Sequence, residues 1–143
     1  MIWIPTRLAD GASLPAYKTE GAAGMDLCAN LTRSRVLWPL VPTRLPTGVS
    51  FAIPENYEGH IVGRSGLALK GVSILGSQID SDYRGPVSVI VVLLRLWPMV
   101  VRPGDRIAQI VFSSVARAKL STGLPMDSTA RGARGFGSTG VRQ

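Results

Sequence analysis

The sequence predicts an all-β protein with the architecture of a jelly-roll-like β-barrel. Three observations favour this class. Sixteen glycines and ten prolines occur in a chain of only 143 residues, a composition that suits short strands joined by tight turns. Short apolar stretches recur between Pro, Gly and Asn residues, as in barrels and jelly rolls. Apolar residues seldom repeat with the helical period of about 3.6 residues.

The apolar stretches define the candidate strands, each of them bounded by turn-forming residues. In chain order they cover residues 36–40, 47–53, 60–62, 72–75, 87–94 and 107–112. One helical turn is predicted over residues 66–70, because the sequence LALK is followed at once by Gly71.

The candidate strand at 87–94 has apolar residues on both alternating faces, so both faces need cover from the core or from another subunit. This pattern indicates an oligomer. We expect residues 1–120 to form a single β-barrel domain. Residues 121–143, rich in Gly, Ser, Thr and Arg, are expected to form a flexible C-terminal arm. The arm is either a disordered tail or a segment that becomes ordered over a ligand.

The chain carries a net charge of +7 and has an isoelectric point near 10.5. Such a charge suits either a nucleic acid or a small polyanion such as a triphosphate. The arginines are scattered and are not interleaved with aromatic residues, which does not favour nucleic acid. A single cysteine, Cys28, excludes an internal disulfide and fits a reducing compartment. With no signal peptide and no apolar run long enough for a bilayer, we expect a cytoplasmic protein without a membrane partner.

Two segments in the first half of the chain suit a phosphate-bearing ligand. In AAGMDLCA, residues 22–29, Asp26 follows a Gly-containing turn, where carboxylates commonly hold a hydrated Mg²⁺. In GRSGLA, residues 63–68, Arg64 and Ser65 precede a helical turn whose free N–H groups attract anions. Each signal is weak by itself, because structural turns use the same residue types.

Three further segments follow. In IDSDYRG, residues 79–85, Asp80 and Asp82 would share one face of a strand, where one carboxylate could orient a water, but the spacing alone favours a polar turn with a salt bridge. In RPGDRIAQIVF, residues 102–112, Asp105 and Arg106 could pair across a turn, and Gln109 needs a polar partner in an apolar strand. In RGARGFGSTG, residues 131–140, glycines and hydroxyls suit phosphates and Phe136 offers a stacking face.

Together the five segments carry a strong resemblance. AGMDL, RSGLA, IDSDYRG, GDRIAQ and RGFGSTG occur in order over nearly the whole chain, which therefore closely resembles the homotrimeric dUTPases. The resemblance implies a jelly-roll-like homotrimer with composite active sites. It implies hydrolysis of dUTP to dUMP and pyrophosphate, with Mg²⁺ as cofactor.

The resemblance also implies a role for individual residues. Asp80 orients the water that attacks the α-phosphorus, and Asp26 holds waters of the Mg²⁺ ion. Tyr83 packs under the deoxyribose and leaves no space for a 2′-hydroxyl, while Phe136 covers the uracil. The remaining substrate-binding positions are Arg64, Ser65, Gly66, Ser77, Gln78, Ile79, Gln109, Arg131, Gly137, Ser138 and Thr139.

The departures from the family pattern lie mainly in the hairpin that binds the base. Ser77 stands where a glycine is usual, and we expect Gly76 to take over its conformation by a shift of register. The alternatives are a changed base preference or a catalytically silent binding protein on the same scaffold. In LLRLWPMVV, residues 93–101, a loop that is usually polar is apolar. Trp97 and Met99 could form an interface contact, but we expect them to pack within the chain.

Overall fold

The computed structural model describes residues 2–135, which form ten strands and one short helix. The strands are β1 (Thr6–Leu8), β2 (Met25–Cys28), β3 (Arg35–Leu37), β4 (Thr43–Phe51), β5 (Tyr57–Val62), β6 (Val72–Leu75), β7 (Gln78–Ile79), β8 (Val87–Leu93), β9 (Met99–Val101) and β10 (Arg106–Ser114). The helix α1 spans Ser65–Ala68. The all-β prediction is confirmed. Within the described range, no helix is long and apolar enough to cross a bilayer.

The strands form two four-stranded sheets and one two-stranded ribbon, and every strand pair is antiparallel. One sheet has the order β1-β4-β8-β6, the other has the order β2-β10-β5-β7, and β3 pairs with β9. The core is made by inward-facing aliphatic residues of all three. Its most deeply buried members include Leu27, Leu37, Leu45, Ile61, Val89, Leu93 and Ile110.

All six predicted strands are present, five of them with shifted ends. The strand at 72–75 has the predicted bounds. The strand predicted at 36–40 already ends at Leu37, because the chain turns at Leu40, whose φ is 61°. The strand predicted to begin at residue 47 begins at Thr43 instead. Pro46 is accommodated opposite Ser88 because the register of β4 against β8 shifts between Pro46 and Val49.

Strand β8 is buried on one face and half-buried on the other, where Ser88, Ile90 and Val92 lie. The loop that follows it was predicted to pack within the chain. This is correct for Met99, which packs against the core, and wrong for Trp97, which is 74% exposed. The guanidinium of Arg95 donates to the carbonyls of Trp97 and Pro98. These bonds lie within the loop, so the loop is held by its own contacts and Trp97 is left exposed.

The last strand ends at Ser114, and residues 116–135 are exposed without a helix or strand. The compact fold is therefore complete before the Gly- and Ser-rich end of the chain begins.

Candidate active site

A buried carboxylate joins β2 to β10. The Asp26 side chain is only 3% exposed, and its Oδ1 accepts a hydrogen bond of 3.1 Å from Gln109 Nε2. Its Oδ2 accepts one of 3.0 Å from Arg106 Nη1. Asp26 and Gln109 are directly opposite in the antiparallel ladder, so their side chains share one face of the sheet. The unusual amide in an apolar strand thus has its partner within the chain.

Arg64 adds a second segment to this group. It lies between β5 and α1, with its Nε 3.5 Å from Asp26 Oδ1, and its Nη1 donates to the Arg106 carbonyl at 2.9 Å. Ser65 and Gly66 open α1 directly after it. A Cβ atom added at Gly66 would meet nothing within 4 Å, so packing inside the chain does not require glycine there. The glycine leaves the backbone open to close approach by a ligand.

The electrostatic character of this group is positive, because two guanidinium groups face one carboxylate. A cavity of about 600 Å³ adjoins it, with an apolar floor and a charged rim. The charged residues of the rim are Arg64, Lys70, Arg95, Arg102, Asp105 and Arg106. Such an excess of cations favours a polyanionic ligand.

A second group of candidate residues surrounds β7. Gln78 and Ile79 pair with His60 and Gly59 of β5, and they line a cavity of about 280 Å³ together with Tyr83. The Tyr83 hydroxyl donates to the Pro86 carbonyl at 3.1 Å, which fixes the ring against its own loop. This cavity is smaller and more apolar than the first.

Asp80 lies at the edge of this second group. Asp80 and Asp82 do not alternate on a strand, because β7 ends at Ile79 and the chain turns, as the polar-turn interpretation of this segment predicted. The Tyr83 amide closes the turn by donating to the Asp80 carbonyl at 3.2 Å. The Asp80 side chain is exposed, and within residues 2–135 no hydrogen bond or ion pair engages its carboxylate. It is therefore free to accept a hydrogen bond from water.

The hairpin before Asp80 connects β6, in one four-stranded sheet, to β7, in the other. Gly76 has φ 55°, whereas Ser77 is not left-handed, so the glycine residue carries the left-handed conformation. The Ser77 carbonyl accepts from the Ile61 amide at 2.7 Å. Ser77 is accommodated without backbone strain.

The two groups lie apart within one chain. Gln109 is opposite Val62 on β5, and Ile79 is opposite Gly59 on the other edge of the same strand. Three residues along the strand and two strand spacings place Gln109 and Ile79 roughly 14 Å apart, and Asp80 continues beyond Ile79. In-line attack needs reacting atoms about 3–3.5 Å apart, so one copy of the chain does not bring Asp80 to a phosphate bound at Gln109.

The candidate residues of the arm are only partly described. Arg131 is exposed. Its Nε donates to the Arg134 carbonyl at 3.0 Å, and Arg134 Nε donates to the Arg131 carbonyl at 3.2 Å around a local turn. Phe136, Gly137, Ser138 and Thr139 lie outside the described residues.

Comparison with known proteins decides the family. The dUTPase family model matches residues 10–140, nearly the whole chain. The chain belongs to the dUTPase family. The five segments that suggested this family from the sequence all lie inside the matched range.

Relatives in the dUTPase family cover this chain almost end to end. A deoxyuridine 5′-triphosphate nucleotidohydrolase of Desulfotalea psychrophila is 43% identical and spans 98% of this chain and 95% of its own length. One of Caldanaerobacter subterraneus subsp. tengcongensis is 45% identical over 90% of this chain and 88% of its own. Among solved structures, the Staphylococcus bacteriophage 80alpha dUTPase with dUPNHPP has a TM-score of 0.87 and 25% identity. It covers 99% of this dUTPase and 100% of the phage chain.

The residues around Asp26 limit how a metal ion could be held. Within residues 2–135, no group of three or more His, Cys, Asp or Glu side chains comes together. Each Asp26 oxygen accepts one hydrogen bond, and a carboxylate offers about four acceptor sites, so capacity for water remains. One carboxylate beside two guanidinium groups suits Mg²⁺ only when the nucleotide phosphates supply most of the remaining ligands.

Arg106 was missed by the sequence analysis, which paired it with Asp105. In the structure Asp105 Oδ2 instead accepts from the Arg102 amide at 2.8 Å, and Arg106 pairs with Asp26. In a regular strand Arg106 and Gln109, three positions apart, would point to opposite faces. A β-bulge between Arg106 and Ala108 places Arg106 and Gln109 on the same face of β10. No pattern in the sequence predicts this bulge.

Proposed function

We propose that this dUTPase acts through sites shared between copies of the chain. In each site, Asp80 of one copy would lie beside a triphosphate that is bound by residues of another copy. The chain is a dUTP diphosphatase, which hydrolyses dUTP to dUMP and pyrophosphate. The observation that supports sharing is the distance between Asp80 and the Asp26 group within one chain. A homotrimer, the assembly that the family resemblance implies, would supply the second copy.

Asp80 is proposed as the residue that orients the attacking water. Its carboxylate is exposed and makes no hydrogen bond or ion pair within the described residues. It can therefore accept a hydrogen bond from a water molecule without first breaking another contact. A carboxylate acts as a general base when it lies within hydrogen-bond reach of the water that it orients. Asp80 would take a proton from the water as its oxygen bonds to the α-phosphorus. The bond from the α-phosphorus to the oxygen that bridges it to the β-phosphate breaks, and pyrophosphate leaves.

The triphosphate is proposed to lie against Arg64, Ser65, Gly66 and Gln109. Charge-assisted donation from a guanidinium and from free amides at the start of α1 suits phosphate oxygens. The dUTPase family depends on Mg²⁺, and Asp26 would hold waters of an ion bound by the phosphates. When bound, Mg²⁺ offsets phosphate charge and aligns the α-phosphorus.

The nucleoside is proposed to bind at Ser77, Gln78, Ile79 and Tyr83. Backbone groups of the hairpin would pair with the uracil edge. The fixed ring of Tyr83 would pack against the deoxyribose and exclude a 2′-hydroxyl by contact.

The C-terminal arm, residues 121–143, is proposed as a lid. Its residues Arg131, Ser138 and Thr139 would meet the terminal phosphate, and Phe136 with Gly137 would cover the base. Closure would exclude water that is not positioned for attack. A cytoplasmic location stays a prediction.

The test is release of pyrophosphate from each deoxynucleoside triphosphate and from UTP, with and without Mg²⁺. We expect strong preference for dUTP and dependence on the metal. Preference for another base would point to an altered hairpin at Gly76 and Ser77, and silence on all substrates would favour a binding protein.

A further inference from the structure

Arg106 is a half-exposed residue that covers a buried carboxylate. Its side chain is 48% exposed, whereas that of Asp26 is 3% exposed, and the two are joined by a contact of 3.0 Å. The pair therefore lies at the boundary between the barrel and the charged cavity, and Arg106 closes the solvent side of Asp26.

A β-bulge places Arg106 in this position. Arg106 is opposite Cys28, Ala108 is opposite Leu27 and Gln109 is opposite Asp26, so Ile107 is the additional residue of β10. Without the bulge, Arg106 would be opposite Ala29, on the other face from Asp26. With it, Arg106 shares the face of Cys28 and Asp26. Both Ile107 and Ala108 are buried as a result.

Two residues that we assign to the triphosphate depend on the same carboxylate. Gln109 Nε2 and Arg64 Nε both face Asp26 Oδ1, at 3.1 Å and 3.5 Å. A rotation of the Asp26 side chain would release both. The contact of Arg106 with Oδ2 opposes such a rotation. The backbone of Arg106 adds a further restraint, since its carbonyl accepts from Arg64 Nη1 at 2.9 Å.

We propose that Arg106 is a positioning residue for nucleotide binding, which acts through Asp26 to hold Arg64 and Gln109 ready for the triphosphate. The proposal rests on the function assigned above, because it takes Arg64 and Gln109 as phosphate donors. In metal sites, residues that orient the ligating groups typically contribute about 10- to 100-fold to affinity or activity, and Arg106 orients Asp26 by the same kind of contact. Since Arg106 is half-exposed, its contribution belongs at the lower end.

The experiment measures binding by calorimetry to the complete protein, with the dUTP analogue dUPNHPP plus Mg²⁺ and separately with dUMP. Arg106→Gln should weaken binding of dUPNHPP about tenfold. It should affect dUMP less, because dUMP lacks the terminal phosphates. Arg106→Lys, which keeps the charge near Oδ2, should recover part of the loss. Arg7→Gln is the matched control, since Arg7 is an exposed arginine of β1 in the other sheet.

A double-variant cycle tests whether Arg106 acts through Asp26. Asp26→Asn combined with Arg106→Gln should bind dUPNHPP no more weakly than Asp26→Asn alone. Additive losses would mean that Arg106 contacts the nucleotide itself and would overturn the proposal. Unchanged dUPNHPP binding in Arg106→Gln, or equal losses for dUPNHPP and dUMP, would also overturn it. Turnover of dUTP by the unchanged chain is measured in parallel. Absence of that turnover would contradict the proposed function, whereas the binding results for the variants test the role of Arg106.

Discussion

The substitution Gly85→Ala tests how the chain discriminates between deoxyribose and ribose. A Cβ atom at this position would lie 2.5 Å from the Tyr83 hydroxyl oxygen and 2.7 Å from the ring carbon that carries it. Both distances are far inside normal contact, so the ring must move. Gly85 is therefore required for the observed position of Tyr83.

The size of the effect follows from that displacement. To restore a contact of about 3.4 Å, the ring moves by roughly 1 Å, which breaks the hydrogen bond of 3.1 Å from the Tyr83 hydroxyl to the Pro86 carbonyl. Steric rejection of one added group is worth about 10- to 200-fold in kcat/KM. We expect Gly85→Ala to reduce the ratio of kcat/KM for dUTP over UTP by about tenfold, which corresponds to about 1.4 kcal/mol.

The assay is release of pyrophosphate from dUTP and from UTP under identical conditions. Gly21→Ala is the matched control, because a Cβ atom at Gly21 meets nothing within 4 Å. Its ratio should equal that of the unchanged chain. If Gly85→Ala leaves the ratio between dUTP and UTP unchanged, Tyr83 does not exclude the 2′-hydroxyl and the reasoning is refuted.

Three further predictions concern catalysis, the arm and the core. Asp80→Asn should lose most turnover while it still binds dUPNHPP in calorimetry; near-normal turnover would remove Asp80 from its role. Deletion of residues 131–143 should leave a folded oligomer with little activity, since residues 131–135 are exposed; an active truncated protein would exclude the lid. Thr47→Val should lower the free energy of unfolding by about 2 kcal/mol in denaturant titrations, because the buried Thr47 hydroxyl donates to the Val87 carbonyl at 2.8 Å. A midpoint equal to that of the unchanged chain would contradict this last prediction.

The fold class and the longer strands could be predicted because their signals are local. Strand β6 was predicted with correct bounds, since an apolar run there ends at glycines on both sides. The start of β4 was missed because Pro46 resembles a strand breaker, and only the pairing with Ser88 shows that the ladder accommodates it. Strands such as β7, with two residues, are too short to show a period and form only because β5 pairs with them.

The candidate site could be predicted only as a set of segments. The sequence indicated that Asp26, Arg64 and Gln109 suit one ligand, and the structure brings these three together. The contact between Asp26 and Arg106 depends on a bulge in β10, which no local pattern announces. The distance from Asp80 to the other residues depends on the register of three strands. The apolar pattern of residues 87–94 indicated an oligomer, but only the family resemblance indicated that a site is shared between copies.

The measurement that tests the shared site most directly is complementation between two inactive variants. Asp80→Asn and Arg64→Gln are refolded together in equal amounts, so that their chains mix at random within the oligomers. If each site takes Asp80 and Arg64 from different copies, each of the two residues is intact at half of the sites, independently of the other. About one quarter of the sites then have both residues intact, and activity should return to about one quarter of that of the unchanged protein. If both residues of a site come from the same copy, every site lacks one of them. The mixture would then stay as inactive as the separate variants, and that result would contradict the account.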